Sequence, residues 1–253
     1  MKQAIKQSLV LIACSLALAG VGCAAQAPLG PEAAASPLRV VLIGGDKSEA
    51  VFDNATRALA ANLVKRGIPK ISITRLSARP EEIRQDGVRT ASADLILSKI
   101  SSMHPGPGQG CLVFATSHGV QGRGMYLSTF NEVLTPAALD AALDAGCGAA
   151  PTVVIVSACY SGGFARTPMA RPTRVILTAA RADRPSFGCG AGLRYTYFDE
   201  CLLQAMDNES AWKAVSVRVR DCVKAKETES RFPSSGPQAF FGERTADLAL
   251  PTR

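Results

Sequence analysis

The chain has 253 residues, 47% of them hydrophobic, and a formal net charge of +7, which suits one α/β domain with a substantial core. Its basic residues are scattered, with no tract interleaved with aromatics, and this excludes a nucleic-acid surface. Beyond the N-terminus no segment approaches the length that a membrane span needs.

Residues 1–22 carry Lys2 and Lys6, no acid, and an apolar stretch from Leu9 to Ala19. That stretch is too short to cross a bilayer, and the pattern is that of an export signal. Removing the two lysines takes the formal charge from +7 to +5. Cys23 follows Gly20, Val21 and Gly22, small residues before a cysteine as in a bacterial lipoprotein. Two outcomes stay open: a lipid anchor at Cys23, or cleavage further on and soluble export. Either places the mature chain in the periplasm or at the cell envelope, with no other membrane attachment. Residues 23–37, rich in Ala and Pro, read as a tether, and residues 38–253 as one folded domain.

Arg39 to Ile43 is an apolar run followed by Gly44, Gly45 and Asp46, and reads as a buried strand and its turn. Ser48 to Arg66 repeats Val51, Ala55, Leu59 and Leu63 at helical spacing and stops at Gly67. A short strand is expected at Ile71 to Thr74, then a polar excursion over residues 77–90, then a helix over Ser92 to Ile100. His104 to Gly110 is a Pro/Gly loop. Cys111 to Ala115 is the next apolar run and ends in Thr116, Ser117, His118 and Gly119. A small hairpin is expected over Gly122 to Phe130. Thr135 and Pro136 then open a helix that stops at Gly146.

Thr152 to Val156 is a third apolar run, ending in Ser157, Ala158, Cys159, Tyr160 and Ser161. Arg174 to Thr178 makes another strand, Trp212 to Val223 a helix, and Gln238 to Phe241 a last strand. Strands alternate with helices, so the sheet is expected to be mostly parallel, with helices on both faces. In such a sheet the C-terminal strand tips lie along one edge, where α/β proteins place their sites.

That edge receives a histidine on one tip and a cysteine on another. A thiolate with access to substrate is a nucleophile, and a neighbouring imidazole can take its proton and later protonate a leaving amine. The backbone amides of Gly119 and Cys159 are candidate donors to the oxyanion. The other histidine, His104, lies in the Pro/Gly loop. Of the remaining cysteines, Cys111 opens one strand and Cys147 precedes the next, so both belong at the opposite edge and form the preferred disulfide. Cys201 and Cys222 bracket a helical hairpin and form a second candidate, which leaves Cys189 free. No His/Cys spacing suggests a metal, and the chemistry needs no cofactor.

The Ser117-His118-Gly119 tip followed by the Ala158-Cys159-Tyr160-Ser161 tip resembles the legumain-like, C13-type cysteine peptidases of the caspase-like group. The likeness continues through Thr178 to Asp183, Ser186 to Cys189 and Thr196 to Phe198. It implies a caspase-like three-layer α/β fold and hydrolysis of peptide bonds in peptide or protein substrates. Cys159 would be the nucleophile, forming a thioester, and His118 the general base. Ser157 falls where the family recognises substrate; Arg181 and Asp183, on the next tip, are candidates for substrate contact, the alternative being a plain turn on which the two pair at the surface. Legumains commonly carry an acid two residues before the nucleophile and another shortly after the cysteine matching Cys189. Here Ser157 and Gly190 to Gly192 stand there, which argues against asparaginyl specificity. Asp46, Asp53 and Asn54 occupy the region where the family can supply a residue that orients the histidine. Two alternatives share this fold: a peptide ligase or transpeptidase, in which an amine resolves the thioester, and a catalytically silent envelope binding module.

Overall fold

Four apolar runs become adjacent parallel strands at the centre of one sheet. The computed structural model describes residues 37–85, 87–190 and 192–251. The export signal, most of the tether and Cys23 lie outside the described residues. In chain order the strands are β1 (Leu38–Gly44), β2 (Ile73–Ser77), β3 (Val88–Thr90), β4 (Gly110–Thr116), β5 (Gly119–Val120), β6 (Gly124–Leu127), β7 (Glu132–Leu134), β8 (Thr152–Ser157), β9 (Arg174–Thr178) and β10 (Gln238–Phe241). The helices are α1 (Ala50–Lys65), α2 (Pro80–Ile83), α3 (Ala93–Ser101), α4 (Pro136–Cys147), α5 (Tyr197–Asn208) and α6 (Trp212–Glu229).

Seven strands form the main sheet in the order β10-β9-β8-β4-β1-β2-β3, all parallel except β10, which pairs antiparallel with β9. A strand alternates its side chains between two faces, and here both faces are covered. Val41, Ile43, Cys111, Val113, Val154 and Ile176 pack with residues of α3 and α4. Val40, Leu42, Leu112, Phe114, Val153, Ile155 and Leu177 pack instead with residues of α1, α5 and α6. Strands buried on both sides read as continuous apolar runs, as these do.

Four local expectations are corrected. Ile71 is 94% exposed and belongs to a 3₁₀ turn, Lys70–Ser72, so the second strand starts two residues later, at Ile73. The polar excursion contains α2 and an edge strand, β3, paired with β2 over Arg75 to Ser77. The expected hairpin is a three-stranded antiparallel sheet, β5-β6-β7. The α4 helix starts as expected, capped by Thr135, whose hydroxyl accepts from the Ala138 amide, but it runs one residue past Gly146.

Cys111 is joined to Cys147 and Cys201 to Cys222, while Cys159 and Cys189 are free. The first bond ties the start of β4 to the end of α4, and the second ties α5 to α6. No helix among the described residues is long and apolar enough to cross a membrane.

Candidate active site

The reactive residues follow the tips of two neighbouring central strands. β4 and β8 run in register, and Thr116 pairs with Ser157 on their last rung. His118 lies two residues beyond Thr116, and Cys159 two residues beyond Ser157. Past the rung the strands stay bound, because the Ser117 amide donates to the Ser157 carbonyl at 3.1 Å. Gly119 then folds against the backbone of Cys159. A Cβ at position 119 would lie 1.8 Å from the Cys159 carbonyl oxygen and 3.0 Å from its nitrogen, so only glycine fits. The Cys159 amide donates to no acceptor among the described residues.

The turn after Cys159 is strained. Tyr160, next to Cys159, sits in the left-handed region at φ 59° and ψ 13°, a conformation that costs a non-glycine residue energy. Its amide donates to the Arg184 carbonyl at 2.8 Å, so the chain after β9 braces the turn. The Cys159 sulfur faces Ser186. The Ser186 amide lies 3.3 Å from it, the hydroxyl 3.7 Å, and the Ser186 carbonyl accepts from the thiol at 3.5 Å. The His118 ring packs edge-on against Phe52, with centroids 5.3 Å apart, and its carbonyl accepts from the Tyr126 amide. The small sheet thus holds the histidine loop from one side and α1 from the other.

Of the three residues near the start of α1, Asp46 stays at the edge, buried in the turn after β1, where its carboxylate accepts from the Ser48 amide at 2.7 Å. Asp53 lies beneath Gly44, and Asn54 donates to the Arg194 carbonyl. Ser157 is buried under the site, with its hydroxyl 3.4 Å from that of Thr196, and offers no surface to a ligand. Arg181 and Asp183 are exposed and form an ion pair at 2.8 Å. Their loop lies beside the turn that follows Cys159, since a Cβ on Gly162 would meet the Ala182 nitrogen at 2.5 Å. His104 donates its amide to Gly146, at the far end of α4. It takes no part in the site.

Two titratable residues near the tips escape sequence reasoning. One is Cys189. Burial pushes its thiol above the ordinary range, and the charges of Cys159, Glu49 and Asp46 add to that effect. The other is Asp199 in the first turn of α5, fully buried, whose carboxylate accepts from the Thr116 hydroxyl at 2.8 Å. A cavity of about 520 Å³ lined by Pro107, Pro151 and Trp212 opens at the N-terminal ends of the strands, away from all of these residues. Among the described residues no group of side chains is arranged to hold a metal ion.

The seven-stranded, mostly parallel sheet with helices on both faces is a caspase-like fold. The family model for the Peptidase C13 family matches residues 92–230. The chain belongs to that family, the legumain-like peptidases, and its class of chemistry is hydrolysis of peptide or protein substrates. Comparison with curated proteins found no match to this chain.

Proposed function

We propose that the protein is a cysteine endopeptidase in which His118 and Cys159 form the catalytic dyad. The observation that carries this reading is the seating of Gly119 on the Cys159 backbone, which brings both tips to one edge with a nucleophile and a base. His118 takes the thiol proton, and the sulfur bonds to the substrate carbonyl carbon. The Gly119 and Cys159 amides receive the developing oxyanion. Collapse breaks the C–N bond, and the departing amine takes the proton from the imidazolium. Water, deprotonated by His118, then attacks the thioester and releases the acid and the free thiol.

Two departures from the legumain pattern support a specificity other than asparaginyl. Ser157 is buried and satisfied where legumains carry an acid, and glycines follow Cys189. The leader-like residues 1–22 and the two disulfides support export into an oxidising compartment. The decisive experiment is Cys159→Ala in a variant shown to fold, assayed against a peptide library. Cleavage is expected to vanish along with labelling by a thiol-directed substrate analogue. Full cleavage by the variant overturns the reading. Adding an amine to the wild-type reaction separates hydrolysis from ligation by product mass.

A further inference from the structure

The buried acid on α5 makes contacts that helix formation does not require. Side chains alternate along β4 and β8, so Thr116 and Ser157 face the layer of α1, α5 and α6 together with Phe114 and Ile155. Asp199, in the first turn of α5, meets them there. Its Oδ2 accepts from the Thr116 hydroxyl at 2.8 Å. Its backbone amide donates at 3.1 Å to the Thr196 hydroxyl, which lies 3.4 Å from the Ser157 hydroxyl. The Asp199 side chain thereby holds β4 directly, while its backbone amide reaches β8 through Thr196.

We propose that Asp199 is a positioning residue that locks the Thr116–Ser157 rung and so sets how His118 stands against Cys159. The proposal rests on the dyad inferred above. Asp199 touches neither reacting group. It acts through two short tethers, Thr116-Ser117-His118 and Ser157-Ala158-Cys159, each leaving its strand at that rung.

A purely structural acid would be a poor choice at this position. Thr196 already caps α5, so the helix does not need the carboxylate. Asp199 is completely buried, and its Oδ1 has no hydrogen-bond partner among the described residues. Burial pushes its carboxyl up to about 6, against the opposing influence of the Ser157, Thr116 and Thr196 hydroxyls. Burying an incompletely paired carboxylate costs stability. The helix N-terminus offsets part of that cost. What the acid gains is a rigid acceptor for Thr116, beneath the tip that carries His118.

The test compares Asp199→Ala and the near-isosteric Thr116→Val in the full chain. Iodoacetamide alkylation is followed at Cys159 by peptide mapping across the neutral pH range. Turnover of a fluorogenic peptide gives kcat and KM. Both variants are expected to slow Cys159 alkylation by about tenfold and to shift its pH profile, and to lower kcat about as much with KM within about twofold. Their thermal unfolding remains a single transition. Wild-type alkylation and kcat in either folded variant overturn the proposal, as does a loss no larger than the unfolded fraction. If Asp199→Ala fails to fold, Thr116→Val alone decides. Should the wild-type protein cleave no peptide, the peptidase reading fails, and alkylation still decides the positioning role.

Discussion

Tyr160 holds the left-handed conformation immediately after Cys159, and its side chain determines how costly that turn is. For an L-residue the region costs about 1–2 kcal/mol, and a β-branched residue meets the greatest hindrance. Tyr160→Gly is expected to keep the turn and the reactivity of Cys159. Tyr160→Val is expected to lose about 1–2 kcal/mol of stability and to slow Cys159 alkylation more than tenfold. Chemical unfolding and timed alkylation of the two variants check both outcomes. Equal alkylation rates would show that the turn does not present the thiol. Asp199 and Tyr160 act on the same sulfur from opposite sides, one fixing the strand before it and the other aiming the chain after it.

At the scale of elements, α4 is bound to the start of β9 by four charges. Arg174, 3% exposed, donates to Asp140 at 2.6 Å and to Asp144 at 2.9 Å, and Arg171 reaches both acids. Burial works against the Asp140 carboxylate, yet hydrogen bonds from Arg171 and Arg174 outweigh it and hold its pKa below the usual range. Removing Asp140 leaves both arginines only one acid, the half-exposed Asp144, so Asp140→Ala is expected to cost about 1–3 kcal/mol, read as a lower urea midpoint. A midpoint within experimental error of the wild type would contradict this. The elements differ in how far sequence exposes them. β1, β4, β8 and β9 are legible because burial on both faces makes each an unbroken apolar run. β3 is not, since Val88, Arg89 and Thr90 are three residues with one apolar side chain, and only pairing with β2 makes them a strand. The dyad shows as residue types at strand tips. Asp199 lies 40 residues past Cys159 in a polar helical turn, and its role emerges only once α5 is packed across β4 and β8.

For the whole molecule, two buried acids govern the response to mild acid. Asp53, held under Gly44, is pushed up to about 6 chiefly by burial, as is Asp199. A carboxyl whose pKa is raised on folding binds its proton more tightly in the native state. Its contribution is therefore fully present below the ordinary value of 3.8 and is lost as pH rises through about 6. For Asp199 the shift of about 2 pH units corresponds to about 3 kcal/mol. Unfolding free energy is thus expected to fall between about pH 4 and pH 7, and Asp199→Asn to flatten that slope. Urea titrations at several pH values measure it, and an unchanged slope in the variant would contradict the assignment. The opposite dependence, from Asp140, belongs to lower pH, where that carboxylate protonates and releases its arginines.

The placement of the Cys111–Cys147 bond bears on how this chain carries sulfur in two chemical states. Thiol–disulfide exchange requires the attacking thiolate to reach a disulfide sulfur. Cys111 enters β4 one residue from its start, whereas Cys159 follows the far end of the neighbouring strand. Almost the full length of a seven-residue strand separates them, about 20 Å at 3.3 Å per residue. Exchange between Cys159 and the Cys111–Cys147 bond therefore becomes possible only when the sheet itself opens.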